Sequence, residues 1–177
     1  MMDIFEAKET LSTFRVVIDR REHETAQAQD RYKSLGKTER ATLDYGDYCG
    51  NVTLPDGSSL YDIQKRLYPS CVVERKMSLD EMAMCFTRGR ERFTREIQRA
   101  SMNSAKVYLL IEGGSWEGIL NHRYKSRFHP EAFKASLMAF MVRYDMDVIF
   151  CRAGTSGEII KGILYRNMKE RLEEVNK

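Results

Sequence analysis

No apolar stretch in this chain is long enough to cross a membrane. The first residues, Met1-Met2-Asp3-Ile4-Phe5-Glu6, lack the basic start and apolar run of a signal peptide. A cytoplasmic protein with no membrane partner is the expectation. The four cysteines, Cys49, Cys71, Cys85 and Cys151, form no C-x-x-C pair and fit no zinc-motif spacing. In a reducing compartment they read as free, mostly buried thiols. Neither G-x-G-x-x-G nor a Walker A sequence occurs, which removes the common dinucleotide and P-loop chemistries, and Gly113-Gly114 reads as a plain turn. Internal repeats, low-complexity tracts and proline-rich linkers are missing too. What remains is a chain of 177 residues, 42% hydrophobic and 31% charged. That length suits one domain with its own core, and that composition excludes a disordered or collagen-like chain. The domain is placed at residues 14–177, behind a leader of residues 1–13 that is loose or forms a short helix. A net charge of +3 is too small to identify a partner, so the placement of the charges matters more.

The apolar pattern alternates between strand and helix periods. Residues 14–18 read as a buried strand ending in Asp19, and residues 25–35 as a polar helix stopped by Gly36. Residues 40–43 and 48–54 read as strands on either side of the turn-like Asp44-Tyr45-Gly46-Asp47. Pro55-Asp56-Gly57 signals a turn closing a hairpin, with a return strand from Ser59. Residues 70–76 form the next strand, followed by helical segments near 79–85 and 90–104. Lys106–Glu112 is the clearest buried strand. Pro130 opens a helix running to Tyr144, and Asp147–Cys151 is a last strand. Thr155-Ser156-Gly157-Glu158 has the T-x-x-E spacing of a capping box before a C-terminal helix. The pattern predicts an α/β domain with a central mixed β-sheet flanked by helices, its early half antiparallel.

In a strand over 70–76, alternation puts Glu74 and Lys76 on one face and Arg75 on the other. The residues before Glu74 are apolar, so its carboxylate starts from a buried position. Such a charge is costly unless paired or bound to metal. Glu-x-Lys on one face meets that need: the carboxylate holds a divalent cation and the ammonium orients and polarises a water beside it. Alone, the same tripeptide also fits a half-exposed edge strand. Asp19 alone reads as a strand terminator, and Asp47 alone as a Gly-Asp turn. Together, carboxylates at strand ends can converge at one edge of a sheet. Three oxygen donors without imidazole or thiol suit a hard cation such as Mg²⁺ or Mn²⁺. Such a cation polarises a phosphoryl oxygen, activates water and stabilises a departing alkoxide.

In order along the chain, Gly46-Asp47, Glu74-Arg75-Lys76 and Asp80 resemble the GD-x(n)-ERK-x(3)-D signature of XPF-type structure-specific endonucleases. Ile18-Asp19-Arg20-Arg21-Glu22 is similar to the strand-end D-x-R-E segment of that family. Gly89-Arg90 resembles its G-R turn, and residues 106–112 the core strand that follows. The resemblance implies a restriction-endonuclease-like fold, Mg²⁺- or Mn²⁺-dependent phosphodiester cleavage, and branched or flap DNA as substrate. The location is then the cytoplasm, nucleoid or nucleus, wherever DNA is. By position it implies Asp19, Asp47 and Glu74 as metal-site acids and Lys76 as the water-orienting base partner. Arg75 and Asp80 become supporting residues, paired with each other, and Glu22 either joins the metal site or braces Arg21. Residues 51–68 are longer than the family's usual spacing between GD and ERK, and carry Lys65 and Arg66. They read as an extended hairpin touching DNA or as a surface excursion. Members of this type usually add a tandem helix-hairpin-helix module. No G-x-G hairpin pair occurs here, so a separate DNA-binding partner is a further expectation.

Arg88, Arg92, Arg95 and Arg99 fall at i, i+4, i+7 and i+11, one narrow face of a continuous helix, with Phe93, Ile97 and Ala100 opposite. Glu91 and Glu96 partly offset the row. Four aligned arginines make a phosphate track, and Arg90, off the row, is counted with them as DNA-binding. A helix break at Gly89 would remove Arg88. The basic loop with Tyr124, Lys125 and Arg127 reads equally as a nucleic-acid contact or a plain surface loop. His129 starts the next helix, which is apolar on most sides through Phe133, Ala135, Leu137, Met138, Phe140, Met141, Val142 and Tyr144. Domains of the resembling family pair through this part of the fold. The surplus apolar surface of this helix and of the C-terminal helix from Ser156 therefore predicts a symmetric homodimer. The alternative is a monomer in which residues 1–13 fold back over the helices. Two other functions compete with the nuclease: a non-catalytic DNA-binding subunit on the same fold, and a protein-interaction module whose acids merely end strands. Intact Glu74-x-Lys76 with Asp47 favours the enzyme, since a scaffold needs no metal site.

Overall fold

Runs of four to seven residues, most of them apolar and all too short for buried helices, become the strands of one sheet. The computed structural model describes residues 4–174. The strands are β1 (Arg15–Asp19), β2 (Thr38–Ala41), β3 (Tyr48–Asn51), β4 (Cys71–Lys76), β5 (Lys106–Glu112) and β6 (Asp147–Cys151). They lie in the order β2-β1-β3-β4-β5-β6. β1 runs antiparallel to β3 and β3 to β4, while β1–β2, β4–β5 and β5–β6 are parallel.

One expected pairing is absent. β2 and β3 do not form a hairpin around residues 44–47. Helix α2 (Ala26–Leu35) carries the chain back so that β2 runs parallel to β1, and β1 then separates β2 from β3. The excursion after β3 closes through single bridges at Thr53–Ser59 and Asp62–Leu67, and no return strand forms.

Alternation along the strands sorts side chains onto two faces. Val17, Cys49, Val72, Leu109 and Ile111 face α3 (Leu79–Phe86), α4 (Arg90–Met102), α5 (Trp116–Leu120) and α6 (Pro130–Tyr144). There Phe86 meets Phe93, Phe133 and Phe140 edge-on, with ring centroids 5.2–6.0 Å apart. Truncating such a phenylalanine to alanine costs about 3–5 kcal/mol. Val16, Ile18, Tyr48, Val73 and Leu110 face α2 and α7 (Ser156–Glu174) with Leu35, Ile160 and Leu164. α2 and α7 approach so closely that a Cβ on Gly157 would stand 2.6 Å from the Arg31 carbonyl oxygen.

The cap at α7 differs from the sequence expectation. Thr155 sits in a 3₁₀ turn and its hydroxyl donates to the Arg152 carbonyl, so it does not cap the helix. A cap of that kind lies elsewhere: Ser78 accepts from the Glu81 N–H at 3.1 Å, and the Glu81 carboxylate accepts from the Met77 N–H at 2.7 Å. It starts α3 directly after β4. Ahead of β1 the described residues form a short helix. α1 (Ile4–Ser12) packs Ala7 and Leu11 with Val52, Met168 and Leu172. No helix among the described residues is long and apolar enough to cross a membrane.

Candidate active site

The ends of β1, β3 and β4 meet at one point. The Asp19 N–H donates to the Asp47 carbonyl at 2.8 Å, and the Asp47 N–H donates to the Val73 carbonyl at 3.0 Å. Gly46 makes this approach feasible. Its φ is +72°, and a Cβ there would lie 2.7 Å from Val72 Cβ. Any other residue would push the turn off β4, so the Gly of Gly-Asp is a steric requirement.

Glu74 and Lys76 share the face of β4 under α4, as alternation predicts. They are 2% and 8% exposed. Lys76 Nζ donates to Glu74 Oε1 and stands 5.7 Å from the centre of the Phe93 ring. Glu74 Oε2 is buried and has no hydrogen-bond partner among the described residues. Burial pushes the Glu74 carboxyl up, and the Lys76 charge offsets this only in part. Asp47 accepts from the Arg75 N–H at 2.8 Å through Oδ2. Burial and repulsion from Glu74 hold its carboxyl well above the usual range, against the pull of Lys76. Burial alone would lower the Lys76 ammonium, but Glu74 and Asp47 outweigh it and keep the lysine charged. Asp47 and Glu74 are thus two crowded acids, one with an orphaned oxygen.

Asp19, expected among the metal acids, has both carboxylate oxygens engaged by neighbours. Its Oδ1 accepts from the Arg21 N–H at 2.7 Å and Arg21 Nε at 2.8 Å, and its Oδ2 from Arg21 Nη2 at 2.9 Å and the Leu43 N–H at 2.7 Å. Burial pushes this carboxyl up, and those bonds more than reverse it, leaving it below its ordinary value. With four N–H donors on two oxygens, Asp19 holds Arg21 and the 43–47 turn and offers no open oxygen. Among the described residues no three acids, histidines or cysteines stand close enough to form a complete metal cage. A Mg²⁺-type ion commonly takes one or two carboxylates and keeps waters, so the Asp47–Glu74 pair fits it.

Arg75 points to the opposite face, as expected, but its partners are not. Its guanidinium pairs with Glu22 at 3.2 Å and with Glu112 at 3.3 Å. Glu112 also takes Arg31 Nη2 at 3.1 Å, and the Tyr48 hydroxyl donates to Glu22 at 2.7 Å. No Arg75–Asp80 ion pair forms, because Asp80 begins α3 on the other side of the sheet. Glu22 makes no bond to Arg21; it pairs with Arg75 and helps push up the carboxyls of Asp47 and Glu74. Arg31 and Glu112, both buried, were missed in the sequence. Glu112 ends an apolar strand as Asp19 does, which was a usable signal. Arg31 lies in a polar helix with nothing to mark it. Removing one member of such a buried pair costs about 3–5 kcal/mol.

Asp80 Oδ1 accepts the N–H groups of Lys125 and Ser126 at 2.8 and 2.7 Å. α4 begins after Gly89, so Arg88 is out of the arginine row, and its guanidinium lies 3.4 Å from Met84 Sδ. Arg90 reaches the Phe86 carbonyl and Ser136, both at 3.5 Å. Arg92 and Arg95 are exposed, with Arg95 3.7 Å from Glu91. Arg99 Nε donates to the Asp44 carbonyl at 3.1 Å. Glu96, read in the sequence only as an offset to the row, acts electrostatically on both Glu74 and Arg21. It lies one turn from Phe93, which covers Lys76, and one turn from Arg99, which holds the 44–47 turn.

Solved structures share this frame. XPF from Aeropyrum pernix is 19% identical over 86% of this chain, with a TM-score of 0.59. The same protein in complex with DNA is 22% identical over 88%, with a TM-score of 0.60. At these identities the likeness is one of fold, the restriction-endonuclease-like mixed sheet with helices on both faces. This chain spans 61% and 66% of the length of those two chains. No curated protein sequence matches it. The ERCC4 domain model matches residues 18–163. That stretch takes in Asp19, Gly46-Asp47, Glu74-Arg75-Lys76 and Asp80 on one continuous sheet and its first helices, and the chain belongs to the ERCC4 domain family of XPF-type nuclease domains.

Proposed function

We propose that the chain hydrolyses phosphodiester bonds in DNA, with Mg²⁺ or Mn²⁺ held by Asp47 and Glu74. The observation that carries this is the buried, unpartnered Glu74 Oε2 beside a second raised carboxyl. An unmet acceptor in that position costs stability unless a cation or donor arrives. When bound, the cation would supply Lewis-acid activation of the phosphate. Lys76 stays protonated, so it serves as a fixed ammonium that orients water or phosphate oxygen and does not itself remove a proton. Arg75 presents its amide to Asp47 while its guanidinium is locked from behind by Glu22 and Glu112. Asp19 steadies Arg21 at the edge of the site. Branched or flap DNA is the substrate class that the family membership favours.

The test is cleavage of labelled flap, fork and plain duplex oligonucleotides in Mn²⁺. Wild type should cut, with branched substrates preferred. Glu74→Gln and Asp47→Asn should lose about 10²-fold or more, the scale seen when one preorganised electrostatic partner of a transition state is removed. Lys76→Ala should slow cleavage with DNA binding little changed. Glu74→Gln cutting like wild type would sink the assignment. Wild type binding all three DNAs and cutting none would favour a non-catalytic subunit.

A further inference from the structure

The loop between α5 and α6, residues 121–128, is built more firmly than its exposure requires. Arg123, Lys125 and Arg127 are exposed, and the segment between Glu117 and Glu131 contains no acid. None of the three makes an ion pair among the described residues. Elsewhere many surface cations are neutralised, as at Lys33–Asp30, Lys106–Asp145 and Lys134–Glu131.

Yet the backbone that carries these three charges is tied down at each step. The Arg123 N–H donates to the Gly118 carbonyl at 2.7 Å. His122, at φ +52°, bonds through Nε2 to the Ser126 carbonyl at 2.8 Å. The Tyr124 hydroxyl donates to the Phe128 carbonyl at 2.7 Å, and both rings pack on Phe133. The Lys125 and Ser126 amides both end on Asp80 Oδ1. Holding a non-glycine residue in the left-handed region and ordering an exposed loop both cost free energy. A loop whose charges are only solvated gains nothing from that cost. A loop whose cations must meet phosphates at a fixed spacing binds better for it, because less freedom is lost on binding.

We propose that this turn is a contact for the phosphate backbone of DNA, and that Asp80 is its positioning residue. The proposal rests on the nuclease reading above and extends it to the substrate-binding surface. Asp80 stands four residues after Lys76, at the start of the capped helix α3. A phosphate on the turn is therefore set at a fixed distance from Glu74 and Lys76 through one short rigid path. This gives the last residue of ERK-x(3)-D a task without chemistry: it docks a cationic turn to the catalytic strand.

The test measures binding of a labelled duplex by anisotropy in EDTA, so that cleavage does not intervene, across about 50–200 mM salt. Replacing Arg123, Lys125 and Arg127 together by alanine should lower the slope of log affinity against log salt by about two to three units, roughly one per phosphate contact. Asp80→Ala leaves all three cations in place but frees the turn, and should lose a large part of the same affinity. Asp80→Asn keeps an oxygen that accepts both amides and should bind at least as tightly as wild type. An unchanged slope in the triple variant overturns the contact. Asp80→Ala binding like wild type, or Asp80→Asn failing like Asp80→Ala, overturns the positioning role. If Asp80→Ala melts below the assay temperature, the triple variant at exposed positions decides the contact, and a loss of affinity in Asp80→Asn would still overturn the positioning. Failure of the two readings is distinguishable: a wild type that cuts branched DNA while the triple variant binds normally rejects only the turn. A wild type that cuts nothing while the triple variant loses its slope rejects only the nuclease.

Discussion

A carboxylate that sits beside another and is cut off from much of the water holds its proton more tightly than a free one. Asp47 and Glu74 are both in that state. The folded chain then binds those protons better than the unfolded chain, and stability falls as pH rises from the ordinary carboxylate range through their raised folded values. The two acids differ in what removal does. Asp47→Asn keeps an acceptor for the Arg75 amide, removes repulsion, and leaves Lys76 paired with Glu74. Glu74→Gln strips the buried lysine of its bonded counter-charge. In EDTA at about pH 7–8, Asp47→Asn should therefore melt at or above wild type, by about 2–4 °C per kcal/mol relieved. The gap should close as pH falls toward about 4, where both acids are protonated. Calorimetric melts across pH would check this, and Asp47→Asn melting lower at every pH would show that the repulsion is absent. The face shared by Glu74 and Lys76 was legible because strand alternation is local. The commitment of Asp19 to Arg21 and Leu43 was not, since it depends on where the 43–47 turn lands.

At the scale of elements, α4 carries the arginine row and shows how far a helical spacing can be read. The spacing correctly puts Phe93, Ile97 and Ala100 inside. It cannot tell which outer arginines remain available. Gly89 detaches Arg88, and Arg99 is engaged with the Asp44 carbonyl. Arg92→Ala and Arg95→Ala should each lower the salt slope of DNA binding by about one unit. Arg99→Ala should lower it less and cost more in melting temperature, because it releases the turn that ends in Asp47. Anisotropy titrations and thermal melts on the same variants separate these effects. An Arg92/Arg95 double variant with the wild-type slope would mean the row faces only water. Strands β5 and β6 and helix α6 appear at the residues expected from sequence, since each has a long uninterrupted pattern and clear ends. Helix α5 was missed: five residues, Trp116–Leu120, are too few to show a helical period.

For the molecule as a whole, the apolar excess read on α6 is smaller than it looked. Phe133, Leu137 and Phe140 are buried within the same chain, with Phe140 1% exposed. A charge at Phe140 would unfold the domain and report nothing about association. The surface left over is Met138, 47% exposed, and Val142, 86% exposed. α1 already covers part of α7, which leaves α6 as the candidate dimer face. We propose a homodimer through that face. Light scattering at micromolar concentration should give twice the chain mass, and Val142→Glu should halve it with the melting temperature unchanged. A wild type that stays monomeric at high concentration while cutting DNA would remove the proposal.

By itself the sequence determined the class of fold, most strands and helices, and the acids and lysine worth testing. Those depend on short-range regularities: alternation in strands, turn residues and helical spacing. Only the tertiary structure decided that β1 lies between β2 and β3, that Asp19 is consumed by its neighbours, and that Arg75 answers to Glu22 and Glu112. It also decided that Asp80 reaches a turn 45 residues away. Each of these is a pairing between residues distant in the chain. A charged side chain states its need for a partner locally, but which partner meets that need is settled only when the sheet is assembled.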